Sequence, residues 1–190
     1  MIKVTLLEKV YKGFLPIVKL VFNQKKIEGG EFQAVTREVL LRDCPVVFLT
    51  LFDKEEKKLL LVKQVRSGAI LDDEGNPYTV EPIAGMVDSG ERPIIAAIRE
   101  AKEEANIDLS EADLTLTEEC YLSPGVSNEY AYFYFANFDS KKYQTGIFGE
   151  KTESEDIETM LVDLEDVKKI NTHFSVATLV SYLSAKESLN

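Results

Sequence analysis

Apolar and polar residues alternate through Ile2–Val10, Gly13–Asn23 and Phe32–Leu40. That period of two belongs to strands with one covered face, and the three segments predict a small antiparallel sheet. Val46–Phe52 and Lys58–Gln64 predict a strand pair across the polar turn Asp53-Lys54-Glu55-Glu56-Lys57, and Asp72–Asn76 reads as another polar turn. Thr79–Ile83 predicts a short strand running into Ala84-Gly85. At Pro93 the spacing changes: Ile94, Ile95, Ala97, Ile98, Ala101 and Ala105 form a helical stripe. Proline suits a first helical position because the N–H it lacks would go unpaired there. Asn106 falls where this helix should stop. Downstream, Ser110–Asp113 predicts a helical turn, and Cys120–Leu122, Tyr130–Asn137 and Glu158–Asp163 predict strands. Leu164–Ile170 and Ser175–Ser184 predict helices. The aromatic run Tyr130, Tyr132, Phe133, Tyr134 and Phe135 reads as core packing. Strands interleaved with two or three helices imply an α/β sandwich.

Composition narrows the chemistry. At 190 residues the chain can bury a full core, with room for a small appendage. A net charge of −11 argues against a nucleic-acid surface and against unassisted binding of any polyanion. A phosphate substrate would need metal and a few local arginines. No apolar run approaches a membrane span and no signal peptide is evident, so a cytoplasmic protein without membrane partners is expected. Cys44 and Cys120 sit in apolar contexts and read as free buried thiols. The single histidine, His173, reads as a helix-start or packing residue, which leaves histidine triads and histidine metal sites without support. Any general base is then a carboxylate.

The most specific stretch is Gly85 to Ile107, G-M-V-D-S-G-E-R-P-I-I-A-A-I-R-E-A-K-E-E-A-N-I. On a helix Glu100 and Glu104 share one face, with Glu103 alongside, and Arg99 could orient Glu103 by a salt bridge. Three such carboxylates repel unless neutralised. Mg²⁺ would do so, because it prefers oxygen ligands and shares its shell with substrate phosphates. An acidic helix alone is usually just a solvated face. The full pattern of glycine, four glutamates, arginine and apolar positions arises by chance with probability on the order of 10⁻⁵. It resembles the Nudix box, with Asn106 where that family usually has glycine. Asparagine is the next most tolerant residue for a left-handed helix end.

The resemblance covers roughly residues 9–185 and points to the ADP-ribose pyrophosphatase branch of the Nudix hydrolases. Val10-Tyr11-Lys12-Gly13-Phe14, Arg37-Glu38-Val39, Val62-Lys63-Gln64-Val65-Arg66 and Glu81-Pro82-Ile83-Ala84-Gly85-Met86-Val87-Asp88 carry it. So do Ser123-Pro124-Gly125-Val126-Ser127-Asn128-Glu129 and the segment from Gly146 to Ile157. It implies a Nudix α/β/α sandwich with a mixed sheet, residues 41–190, plus a small N-terminal antiparallel sheet, residues 1–40. It implies Mg²⁺-dependent hydrolysis of a nucleoside diphosphate sugar, ADP-ribose, to AMP and ribose 5-phosphate, with Mn²⁺ able to substitute. It further implies a homodimer whose N-terminal sheet completes the partner's adenine site. By the same resemblance Glu100, Glu104, Glu155 and the Ala84 carbonyl hold metal. Glu153 is the catalytic base, with Glu103 and Arg99 assisting. Arg66 and Glu129 contact the diphosphate and terminal ribose region, Phe14, Leu15 and Arg37 approach the nucleoside, and Glu38 and Met86 also bind substrate. The alternatives are a hydrolase of GDP-mannose or another nucleotide sugar, and a non-catalytic ADP-ribose sensor. The sensor is disfavoured because all the box glutamates are present.

Overall fold

The computed structural model describes residues 2–71, 76–150, 155–170 and 173–189. Its contacts divide the chain into two units, residues 1–45 with 121–130, and residues 46–120 with 131–190.

In the first unit, β1 (Lys3–Tyr11), β2 (Ile17–Lys25) and β3 (Phe32–Leu40) form an antiparallel sheet in that order. β2 starts later than the alternation suggested, just after Pro16. Proline has no N–H to give a ladder, so it marks the edge of the strand. The segment Ser123–Glu129 is tied to residues 40–42. Leu40 N–H donates to the Val126 carbonyl at 2.8 Å, and the Asn128 amide both accepts from the Arg42 N–H (2.6 Å) and donates to the Arg42 carbonyl (2.9 Å).

The second unit is built on a mixed sheet. Its main path runs β10 (Ile147–Phe148), β11 (Ile157–Asp163), β5 (Lys58–Val65), β4 (Val46–Asp53), β9 (Tyr130–Asn137), β8 (Thr115–Tyr121). β4 and β9 are parallel, and β4–β5 and β5–β11 antiparallel. The predicted strand Thr79–Ile83 is two strands, β6 (Tyr78–Glu81) on β5 and β7 (Ile83–Met86) on β4. They part at Pro82, which cannot donate to a ladder. The helix α1 (Ser67–Ile70) follows β5, α2 (Pro93–Ala105) follows the Gly85 turn, and α3 (Val176–Glu187) closes the chain.

The sheet is buried on both faces. Val47, Leu49, Leu51, Leu60, Val62 and Ile83 pack with Ala96, Ala97, Ala101 and Ala105 of α2. Four alanines let this helix lie close to the sheet. On the other face Phe52, Leu59, Leu61, Val80, Phe135 and Val162 pack with Ala185 of α3. The expected α/β/α sandwich with a mixed sheet and a separate small antiparallel sheet is therefore present, and the aromatic run of β9 contributes to the core, Phe133 stacking on Phe48 at 5.0 Å. Buried polar groups on the α3 side are paired: Thr178 donates to the Val80 carbonyl (2.7 Å) and Thr50 to Ser181 (2.7 Å).

Three expectations are corrected. Leu164–Ile170 holds only a 3₁₀ turn, Val167–Lys169, too short to add a helical stripe. The helix-start alternative for His173 is replaced: it belongs to a two-residue strand, β12 (His173–Phe174), parallel to β6, and Ser175 is the residue that caps α3 by accepting from the Thr178 N–H at 3.1 Å. Cys120 is exposed rather than buried, because every residue of β8, at the end of the main strand path, is exposed. Cys44 is half-buried, and both are free thiols.

Candidate active site

The α2 face of the sheet ends in charge. Leu60 and Val62 of β5 face α2 while Leu59 and Leu61 face away. Continuing that alternation puts Gln64 and Arg66 on the α2 side. β6 pairs with Thr79 opposite Gln64 and Glu81 opposite Val62, so these two share that side. Glu81 is buried and accepts from Arg66 Nε (2.7 Å) and from the Thr79 hydroxyl (2.7 Å). Glu81 was not in the site read from the sequence. Its signal is an acid standing among apolar neighbours in Val80-Glu81-Pro82-Ile83. Burial works against the charge on Arg66, yet the Glu81 bond and the nearby charges of Glu104 and Glu155 raise its pKa further.

The glycine turn is pressed onto the helix. A Cβ on Gly85 would stand 1.8 Å from Glu100 Oε1 and 2.0 Å from its Cδ, so a side chain there would push the Glu100 carboxylate out of its place. One residue earlier, the Ala84 N–H donates to Glu104 Oε2 at 3.1 Å. Asn106 ends α2 with φ 52° and ψ 37°, the left-handed conformation expected there.

Arg99 is the hub of the turn. It donates to Glu100 (2.6 Å), Glu103 (3.0 Å), both carboxylate oxygens of Glu91 (3.3 and 3.2 Å) and the Met86 carbonyl (2.9 Å). The anticipated bond to Glu103 is thus one of several. Glu91 also accepts from the Asp88 N–H at 3.0 Å. The Arg99 bonds, opposed by burial, hold the Glu91 carboxyl below the usual range.

Glu100 is 9% exposed and Glu104 2%. Burial pushes Glu100 up to about 7 against the pull of Arg99, with the charges of Glu103 and Glu155 adding to the rise. Burial also raises Glu104 well above the carboxylate range, against the Ala84 N–H and with help from Glu100 and Glu155. Such groups favour a protonated folded state. Without metal, stability should therefore fall as pH rises from the unfolded glutamate value through about 7. The loss should be a few kcal/mol, at about 1.4 kcal/mol per pKa unit. Thermal melts in chelator at pH 5.5 and 8 check this. Glu100→Gln should flatten the slope, and an unchanged slope would contradict the assignment.

Ala84, Met86, Arg66, Arg99, Glu100, Glu103, Glu104 and Glu155 thus belong to one neighbourhood in the second unit. Phe14, Leu15, Arg37, Glu38 and Glu129 belong to the first. There Phe14 is 84% exposed, Leu15 and Glu38 are exposed, and Arg37 donates to the Thr36 carbonyl (2.8 Å). Glu129 pairs with Arg42 at 3.0 Å. Glu153 lies outside the described residues.

Among the described residues no three acidic, histidine or cysteine side chains already converge closely enough to grip an ion, since Glu100 and Glu103 turn toward Arg99. The donor set nonetheless fits a hard divalent cation. Glu100 and Glu104 are buried oxygen donors that repel one another, with Glu155 close by and the Ala84 backbone adjoining.

A glycine turn seated on a buried, arginine-braced carboxylate helix, at the edge of an α/β/α sandwich, defines a class of hydrolases. The chain belongs to the NUDIX domain family, whose model matches residues 43–182. It is 35% identical over 160 residues to the ADP-ribose pyrophosphatase of Haemophilus influenzae, covering 83% of this chain and 72% of that one. The Bacillus subtilis ADP-ribose pyrophosphatase is 28% identical over 190 residues, 96% of this chain and 92% of its own. A GDP-mannose pyrophosphatase of Yersinia pestis is 27% identical over 159 residues, 84% and 77%. The crystal structure of an ADP compounds hydrolase shares the fold with TM-score 0.73 at 17% identity, over 99% of this chain and 94% of that one.

Proposed function

We propose that this protein hydrolyses the diphosphate linkage of ADP-ribose, giving AMP and ribose 5-phosphate, with Mg²⁺ as cofactor and Mn²⁺ able to replace it. The observation that carries the reading is the contact of Gly85 with Glu100, beside buried Glu104. It concentrates carboxyl oxygens, whose charged form a bound cation would favour, where an anionic substrate could be met only through that cation. Glu100, Glu104, Glu155 and the Ala84 carbonyl would hold the ion. When bound, it supplies neutralisation of the diphosphate, polarisation of phosphorus and acidification of water. The remaining work falls to the chain. Arg66, fixed by Glu81 through Nε, offers its terminal N–H groups to the diphosphate. Arg99 keeps Glu100 and Glu103 in place. Glu153 takes the proton of the attacking water as general base.

The relatives named ADP-ribose pyrophosphatases support this substrate, and those named GDP-mannose pyrophosphatases favour a second reading. A panel of nucleotide sugars decides between them. ADP-ribose should give the highest kcat/KM, and a preference for GDP-mannose would replace it.

The active form is proposed to be a homodimer, with Phe14, Leu15 and Arg37 near the nucleoside, Glu129 nearer the sugar, and Glu38 and Met86 also binding substrate. Val4, Leu6, Leu7, Val10 and Phe14 are exposed apolar residues in and beside the small sheet, the mark of a surface awaiting cover. Light scattering showing a fully active monomer of 21.4 kDa would contradict this. No described helix is long and apolar enough to cross a membrane. Free thiols such as Cys44 and Cys120 suit the cytoplasm as the place of action.

A further inference from the structure

The segment leading to Glu155 is fastened to the end of α2. The Tyr143 hydroxyl donates to the Ala105 carbonyl at 3.1 Å, and the Gly149 N–H to the Glu103 carbonyl at 3.3 Å. Between these ties the Gly146 N–H donates to the Thr159 hydroxyl (2.9 Å), and the Gly146 carbonyl accepts from the Thr159 N–H (2.9 Å). The strap therefore bridges α2 and β11.

Glu155 rests on the end of this strap. Gly149 has φ +111°, and a Cβ there would lie 2.8 Å from Glu155 Cβ and 3.2 Å from its carbonyl carbon and oxygen. The Glu155 N–H donates to the Glu150 carbonyl (3.3 Å), and Glu155 Oε2 accepts from the Glu150 N–H (3.1 Å). Residues 149 and 150 thus form a seat for both the backbone and the carboxylate of Glu155, and that seat hangs from the helix that carries Glu100 and Glu104. Nothing in the site chemistry itself requires a glycine at 149. The requirement comes from the seat.

We infer that Gly149 is a positioning residue, setting the Glu155 carboxylate against the metal-holding face of α2 through the strap 143–149. The inference rests on the metal-dependent reading above. A side chain at 149 must push Glu155 off its seat, because the nearest atoms are its Cβ and backbone, which cannot swing aside as a side-chain tip could. The left-handed φ adds strain in the same place.

Titration of the full chain with Mn²⁺ alone, read by the electron paramagnetic resonance of free Mn²⁺, tests this without any turnover. Gly149→Ala should weaken Mn²⁺ binding by about 10- to 100-fold, the range for loss of a group that orients a metal ligand. Glu155→Gln should weaken it too. In the double variant Gly149→Ala should add nothing to Glu155→Gln, since both remove one contribution. A purely structural role would lower the melting temperature and leave this non-additivity absent. Unchanged Mn²⁺ affinity in Gly149→Ala, or fully additive weakening, would overturn the inference. Thr159→Val is nearly isosteric and removes the hydroxyl that accepts from the Gly146 N–H while the backbone bond to the Gly146 carbonyl stays, so it should loosen the strap and shift Mn²⁺ affinity in the same direction, by less. If Gly149→Ala does not fold and Thr159→Val binds like the wild type, the inference is likewise overturned. A wild-type protein that binds no Mn²⁺ would overturn the metal reading and this inference together, a result distinct from the others.

Discussion

Glu104→Gln is expected to lower kcat for ADP-ribose by at least ~100-fold, the scale seen when a stabiliser of transition-state charge is lost. The same variant should not be less stable. Glu104 is 2% exposed and, among the described residues, accepts its hydrogen bond from the Ala84 N–H, which the glutamine oxygen can also accept. Burial already disfavours its charge. A neutral group of equal shape removes that cost, so the melting temperature without metal should hold or rise at pH 8. Activity lost with stability kept would separate a metal ligand from a structural acid. A variant that keeps a tenth of its activity, or that unfolds, would contradict the role.

Glu153→Gln is expected to lower kcat by roughly 10²–10⁴, the usual range for a positioned general base, with KM and the metal requirement little changed. The resemblance of its segment to the family's catalytic loop marks Glu153, and the other carboxylates of the site already have partners. Glu100 and Glu103 are engaged by Arg99, Glu104 by the Ala84 N–H and Glu81 by Arg66. Glu155 accepts from the Glu150 N–H. Glu153 is the next acid in the segment that resembles the family's catalytic loop. The contrast with Glu155→Gln matters, because that change should raise the Mg²⁺ concentration needed for half-maximal rate. If Glu153→Gln leaves kcat intact, Glu103 becomes the candidate base.

Much of this was legible in the sequence, for identifiable reasons. The α2 boundaries follow from Pro93 and Asn106, two residues whose backbone preferences act locally. The bounds of β3 and β9 match the predicted strands residue for residue, because neither segment is interrupted by proline or glycine. Failures came where long-range pairing decided. Thr79–Ile83 reads as one strand, but its two halves pair with different neighbours. Leu164–Ile170 has apolar spacing suited to a helix, yet Leu164 and Val167 are buried in the α3-side core by no more than a 3₁₀ turn. Arg66 and Glu81 each stand in a motif, but their pairing follows only from the β5–β6 register. The reach of Arg99 to Glu91 and Met86 likewise needs the turn to be folded, since spacing along a helix reveals only the bond to Glu103.

The central claim is that the α2 carboxylates hold a divalent ion for cleavage of a diphosphate. The most direct measurement is incubation of the purified protein with ADP-ribose, with and without Mg²⁺, and chromatographic identification of the products. The account predicts AMP and ribose 5-phosphate in equal amounts with Mg²⁺ and no turnover in excess chelator. Undiminished turnover in chelator, or products from cleavage of any bond outside the diphosphate, would contradict it.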